Sequence, residues 1–338
     1  MSEYIYQTSS WQKFWTKVKD SNHQSSQFTV GNFTTKIYQY PWILKQKVWF
    51  LPACPVYLKD SFEGLEKEEV LREFLEFLNK LKQEAQKNKI SILKFYLEPK
   101  LGGFLNIQNQ AGLLNLLQKT NSKFWIKGSK SFMYEQIMQL QITDLKLPEK
   151  SFELNDNYLG EFFKINQNFW LERNKTIRNQ TKRSLSNNWL IDNQKTTQNI
   201  ELSYQILLET AQRQGFGLPS EEYFKELANQ NFSHFWLLKN QSQEVVSTWI
   251  GLNLGSRLVN LYGGNRGASF TNFGPNYLHL AGIGLAKDLG LDYYDFGGYN
   301  KDETTAKFKD SYKGEIVTFP GNLNLGVSFL GKILSRFC

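Results

Sequence analysis

Apolar side chains recur at three- and four-residue spacing through Glu66–Lys87, where Val70, Leu71, Phe74, Phe77, Leu78 and Leu81 share one face. This predicts a long amphipathic helix. Trp11, Phe14, Trp15 and Val18 repeat that spacing within Ser10–Asp20, and Ser9 or Ser10 can cap the helix they imply. Gln27–Tyr40 and Trp42–Pro52 are rich in Phe, Val, Thr, Ile and Trp and read as strands. Lys89–Leu97 alternates apolar and polar positions as a half-buried strand would, and it stops at Glu98-Pro99. Strands interleaved with helices in this way predict an α/β domain.

A polar stretch, Thr143–Asn157, then breaks the pattern and marks a boundary. Beyond it, helical spacing covers Leu159–Phe169, Asn174–Ser186, Leu202–Gln212 and Ser220–Asn229. Strand-like runs follow at Phe235–Lys239, Val245–Leu254 and Arg257–Tyr262, then a helix at Asn276–Leu289 and a short strand at Leu291–Phe296. Val327–Phe337 reads as a closing helix. The second succession of elements loosely repeats the first, and 338 residues exceed one typical core, so two domains are expected.

Composition adds limits. Hydrophobic residues at 41% and aromatics at 15% suffice for packed cores. Forty Lys plus Arg against 32 Asp plus Glu leave a net charge of +8, which suits polyanionic partners such as tRNA, nucleotide diphosphates or an acidic membrane face, and equally a basic but merely soluble protein. Cys54 and Cys338 form neither a metal spacing nor a disulfide framework. The first residues carry Glu3 and lack a basic start before an apolar core, and no apolar run approaches the ~18 to 20 residues that cross a bilayer. A soluble, cytoplasmic, monomeric protein is expected.

His23, His234 and His279 are scattered without metal or triad spacing and read as structural or surface residues, and no metal site is expected. No Gly-x-Ser-x-Gly elbow, Walker A loop or Rossmann fingerprint occurs, so no cofactor is expected. Chemistry here would rest on orienting two substrates and stabilising charge. The most distinctive passage is Tyr293-Tyr294-Asp295-Phe296-Gly297-Gly298, followed by Phe308-Lys309-Asp310-Ser311-Tyr312-Lys313-Gly314. A strand ending in two glycines lets backbone approach a ligand. Phe308 and Lys309 set an apolar wall beside one cation, suited to a carbonyl oxygen that gains charge in acyl transfer. A turn beside a surface lysine would leave the same trace.

Together these features resemble the FemABX family of peptidoglycan-bridge aminoacyltransferases. That family places a Tyr-Asp-(Phe/Leu)-Gly-Gly strand end before a Phe-Lys pair and a Gly-Glu, here Gly314-Glu315. Trp15-Thr16-Lys17-Val18-Lys19, Leu97-Glu98-Pro99, Tyr223-Phe224 and Leu261-Tyr262-Gly263-Gly264 match further blocks in order along the whole chain. The resemblance implies two tandem acetyltransferase-like (GNAT) domains. These are expected at 1–147, joined by a returning tail at 318–338, and at 148–317. It further implies transfer of an amino acid from aminoacyl-tRNA onto the stem-peptide amino group of a UDP- or lipid-linked muropeptide precursor lying between the domains. Peripheral contact with the inner membrane face goes with the lipid-linked case.

Carried over, Lys17 binds the precursor diphosphate, and Tyr223 and Tyr262 contact the precursor. Glu98 receives the acceptor ammonium or helps it lose a proton. Phe308 and Lys309, with Gly297 and Gly298, flank the reacting ester. The family's second diphosphate-binding arginine would fall near Gly217-Leu218, where no cation stands; Arg213 is close but out of register, which leaves the carrier open. The compact form is indicated, since no long heptad-bearing arm is inserted. From the residues themselves, Lys175, Arg178 and Lys182 form a basic stripe at helical spacing that could follow tRNA phosphates or simply be a solvated face.

Two other functions fit parts of the sequence. Gln212-Arg213-Gln214-Gly215-Phe216-Gly217 has the composition of an acyl-CoA pyrophosphate loop, as an N-acyltransferase would need. It follows a helical run, however, and Gly215 reads as a helix C-cap. A non-catalytic wall or nucleic-acid binding protein on the same fold is the remaining alternative.

Overall fold

The computed structural model describes residues 11–14, 24–41, 47–58, 62–97, 99–107, 112, 125–127, 136–301, 305–319 and 322–328. By contact the chain divides into Glu3–Gln136 with Val317–Cys338, and Ile137–Ile316.

In the first unit, β1 (Gln24–Val30) and β2 (Phe33–Pro41) form a hairpin in which Val30 faces Phe33. The single strand expected over Gln27–Tyr40 is therefore two strands, because Gly31 and Asn32 make a two-residue turn with Gly31 at φ +55°. β3 (Lys47–Cys54) pairs antiparallel with β2, and β4 (Val56–Tyr57) closes on the start of β2. Helix α1 (Lys67–Lys87) then crosses back to β5 (Ile92–Leu97), which lies parallel to β3. Glu68 and Glu69 in its first turn and Lys87 in its last complement the helix dipole. Val70, Phe74, Phe77, Leu78 and Leu81 bury the expected face. Every residue of β5 is buried, Lys94 included, instead of alternating, because β5 sits inside the sheet. Short α2 (Pro99–Phe104) and β6 (Trp125–Lys127) follow.

The second unit opens with β7 (Gln136–Gln141), α3 (Asp156–Ile165), α4 (Gln167–Leu171), α5 (Lys175–Ser184) and β8 (Leu190–Asp192). Next come α6 (Thr197–Gln214), α7 (Glu221–Ala228), β9 (Ser233–Lys239), β10 (Val245–Leu254) and β11 (Arg257–Asn265). It ends with α8 (Gly267–Thr271), α9 (Gly274–Asp288), β12 (Tyr293–Gly298), α10 (Ala306–Asp310) and β13 (Glu315–Thr318). The division falls between Gln136 and Ile137, at the first residue of β7 and earlier than the expected 147/148, because β7 pairs antiparallel with β12 and belongs to the second sheet. The polar stretch that reads as a linker is the exit from β7 and the approach to α3.

The tail returns to the first unit: β14 (Asn322–Gly326) inserts between β5 and β6, antiparallel to both. The helix expected over Val327–Phe337 lies almost wholly outside the described residues.

The sheets run β1-β2-β3-β5-β14-β6 and β13-β7-β12-β11-β10-β9-β8. In each, an antiparallel meander leads through a helical crossover, α1 in the first and α8 with α9 in the second, to one parallel neighbour, and a further antiparallel strand lies beyond it in the sheet. The fold is mixed α/β, with the same strand logic used twice. Each unit has its own apolar core. Helix α9 is buried on nearly all sides, which explains its apolar and small-residue composition.

Candidate active site

The parallel pair β11 and β12 stays in register only from Arg257↔Tyr293 to Val259↔Asp295. Beyond that point β12 slips by one residue against β7, pairing Asp295 with Gln139 but Gly298 with Ile137. Gly297, at φ +77°, forms the bend, and a Cβ there would lie 2.9 Å from the Asn260 carbonyl oxygen. Backbone curvature and close approach both require glycine here. The Gly297 amide, inside this irregularity, donates to Asp295 Oδ1 at 2.7 Å.

This bend carries the Gly298 carbonyl to the Lys309 ammonium, which donates to it from α10. Phe308, the preceding residue, packs partly buried on the core. Its ring lies 5.3 Å from the His279 imidazole and 5.5 Å from the Tyr312 ring. The wall behind Phe308 is completed by Phe296, whose ring lies 5.0 Å from His279 and 4.7 Å from Tyr312.

His279 comes from α9, where Gly282, one turn on, leaves room for the Tyr294 ring; a Cβ there would meet that ring at 2.7 Å. His279 Nδ1 and the Tyr294 hydroxyl are hydrogen-bonded at 2.8 Å. Burial, and secondarily the charge of Lys309, push the His279 pKa down to about 3, so the imidazole is neutral at pH 7. Burial raises the Tyr294 and Tyr312 hydroxyls above their ordinary range. The side chains packed around Phe308 are thus neutral, and the Lys309 charge is felt by His279 and by the buried Asp295 carboxylate.

Asp295 is 3% exposed and Arg257 2%. Their charged groups lie 3.5 Å apart, and Arg257 Nη1 also donates to Gln139 Oε1 at 3.0 Å. Gln139 Nε2 donates in turn to Glu315 Oε2 at 2.9 Å. Burial raises the Asp295 pKa, and Arg257 and the Gly297 amide act against that rise.

The structure brings Phe308, Lys309, Gly297 and Gly298 together. Tyr262 lies on β11 past the point where β11 and β12 part, and its ring is 5.2 Å from Phe224 on α7. Tyr223 is 5.3 Å from the same ring, so the two tyrosines share one aromatic cluster. On α5, Ile177, Thr181 and Ser184 are buried, Lys175 and Lys182 are exposed, and Arg178 is half-buried. The first turn of α5 holds no acid and Asn174 gives it no side-chain cap, so Lys175 stands at the positive end of the helix dipole. The Asn174 amide donates to the Ser311 carbonyl at 3.0 Å, which ties the start of α5 to the segment after Lys309. Lys17 and Glu98 lie outside the described residues.

Three contributors escape the sequence pattern. His279, read there as structural or surface, is buried in the core as a structural residue would be, but its place directly against Phe308 is not legible there. Arg257 and Asp295 receive no role from it. The available signal is an acid between aromatic residues in Tyr293-Tyr294-Asp295-Phe296, which in an interior strand demands a buried partner. The reading of Gly215 as a helix C-cap holds: at φ +75° it caps the C-terminus of α6 by donating to the Ala211 carbonyl at 2.8 Å, and Arg213 donates to the Asn265 carbonyl at 3.2 Å. The segment ends a helix and does not open one.

Among the described residues no helix is long and apolar enough to cross a membrane. No family model and no curated sequence matches the chain. Among solved structures it is similar to FemX, at 12% identity and a TM-score of 0.71, over 99% of this chain and 95% of that one. It is also similar to a conserved protein of unknown function from Bacteroides thetaiotaomicron, at 14% identity and a TM-score of 0.53, over 96% and 91% of the two chains. A domain provisionally assigned to a lysylphosphatidylglycerol synthetase from Agrobacterium fabrum gives 10% identity and a TM-score of 0.50, over 96% and 93%. At such identities the likeness is one of fold, and the fold of this chain is FemX-like.

Proposed function

We propose that the protein is an aminoacyltransferase that moves the amino acid of an aminoacyl-tRNA onto the stem-peptide amino group of a nucleotide- or lipid-linked muropeptide precursor in the cytoplasm. The observation that carries this reading is the Lys309 ammonium held at the Gly298 carbonyl, beside Phe308, where β11 and β12 part. The FemX-like fold over nearly the whole chain and the colinear motifs support it.

In the reaction the acceptor amine attacks the ester carbonyl carbon. The new C–N bond forms, the bond to the ribose oxygen breaks, and the amine proton ends on that oxygen. Negative charge builds on the carbonyl oxygen in between, and Lys309 would donate to it as the Gly298 carbonyl gives way. Phe308 would wall one side of the ester and exclude water. His279, its pKa pushed down to about 3, is too weak a base to take the proton. Glu98 would receive the acceptor ammonium or help it lose the proton it must shed before attack, Lys17 would bind the precursor diphosphate, and Tyr223 and Tyr262 the precursor body. Lys175, Arg178 and Lys182 would follow the phosphates of the donor.

The test is mass spectrometry of purified protein with charged tRNAs and muropeptide precursors, with acyl-CoA in parallel. A precursor heavier by one aminoacyl residue, dependent on charged tRNA, is expected. Transfer from acyl-CoA alone, or binding without transfer, would replace this reading.

A further inference from the structure

The aspartate of the Tyr-Asp-Phe-Gly-Gly strand end has no part in the chemistry above, yet a carboxylate in the interior of a sheet is costly unless it is paired. Asp295 occupies such a place, between β7 and β11. Its two oxygens face different groups: Oδ2 is 3.5 Å from Arg257, and Oδ1 accepts from the Gly297 amide at 2.7 Å. The slipped register against β7 leaves Phe296 and Gly297 together opposite Met138 alone. The next carbonyl along the chain is the acceptor of Lys309.

We propose that Asp295 is a positioning residue for Lys309: its carboxylate, clasped between the Arg257 guanidinium and the Gly297 amide, holds the bend that turns the Gly298 carbonyl toward the lysine ammonium. Arg257 is fixed from its other side by Gln139, itself held by Glu315, so the clasp spans four neighbouring strands. A neutral side chain cannot replace the carboxylate. Asparagine offers one oxygen, which can serve Gly297 or Arg257 but not both, and its amide would face the guanidinium donor to donor. The charge of Lys309 also helps keep Asp295 ionised, so the two groups sense each other directly as well as through the bend.

This role rests on the proposed transfer reaction only for its kinetic consequence, and the test keeps the two apart. Asp295→Asn and the double variant Arg257→Gln/Asp295→Asn are compared with the unaltered protein. The double variant leaves no unpaired buried cation, so it carries the test if the single variant does not fold. NMR of the 15N-labelled lysine ammonium, assigned with Lys309→Met, reads whether Lys309 still donates to Gly298 without any need for turnover. The Lys309 resonance is expected to be lost to exchange in both variants, whereas a shift alone would follow from removing the Asp295 charge. Where transfer is measured, kcat should fall roughly tenfold to a hundredfold, the scale of a misplaced reacting group, with KM for both substrates within about twofold. A Lys309 resonance still protected from exchange in either folded variant, or recovery of kcat in the double variant, would overturn the role and leave Asp295 as half of a structural ion pair. Loss of the resonance to exchange in variants of a protein that transfers nothing would uphold the positioning role and sink the transfer reaction instead.

Discussion

Lys309 and Gly298 lie eleven residues apart, and the lysine ammonium donates to the glycine carbonyl. A carbonyl oxygen already occupies the place where a developing oxyanion would gain most. The ground-state contact is with a neutral acceptor, whereas the reacting oxygen becomes an anion, so the same donor binds the transition state more strongly. Lys309→Met keeps most of the stem and removes the charge. It should lower kcat by about 10²-fold or more while both substrates still bind. Turnover near that of the unaltered protein, with both substrates saturating, would remove Lys309 from the mechanism.

Local pattern carries much of the fold. Strand β10 runs over the expected Val245–Leu254, and α1 begins one residue inside its expected start, because apolar periodicity within one element is set by that element alone. What pattern does not reach is relations across the sheet. Arg257 and Asp295 are 38 residues apart, and neither residue type announces its partner. The pairing of β7 with β12 depends on which strand takes the open edge, so Thr143–Asn157 reads as a linker in the sequence. The Phe308-Lys309 pair is legible only as a colinear motif; that a buried histidine backs it follows from the packing of α9.

Lys17→Ala should raise KM for the muropeptide precursor and leave tRNA binding unchanged, since only the diphosphate would lose its counter-charge. Steady-state kinetics with each substrate varied in turn, together with a filter-binding assay for tRNA, separates the two. A defect confined to tRNA would assign Lys17 to the donor instead.

Reversing Lys175, Arg178 and Lys182 to Glu together should weaken tRNA binding and flatten its salt dependence. If all three meet phosphates, the slope of log K against log salt should drop by about 2, at roughly 0.7 per contact on single-stranded nucleic acid. Thermal stability should change little, because Lys175 and Lys182 are exposed and Arg178 is half-buried, and charges in such places contribute little to folding. Equal affinity and slope in the triple variant would reduce the stripe to a solvated face.

The last prediction concerns acid stability. Burial pushes His279 down to about 3, and burial with the charge of Lys195 pushes His234 down to about 4, both from an ordinary value near 6.5. Between those values the unfolded chain binds protons that the folded protein does not, so each histidine makes stability rise with pH. Their contribution is complete above about 6.5 and is lost as pH falls, through about 4 for His234 and about 3 for His279. Each can add a slope of at most about 1.4 kcal/mol per pH unit. Below about pH 5 carboxylates titrate as well, so the informative window is about pH 6.5 to 5. Urea unfolding across it should show a falling free energy in the unaltered protein and a much flatter line in His234→Asn/His279→Asn. The comparison is of slopes, since losing the bond to the Tyr294 hydroxyl lowers stability at every pH. An identical slope in the double variant would mean that neither histidine is held neutral by the fold.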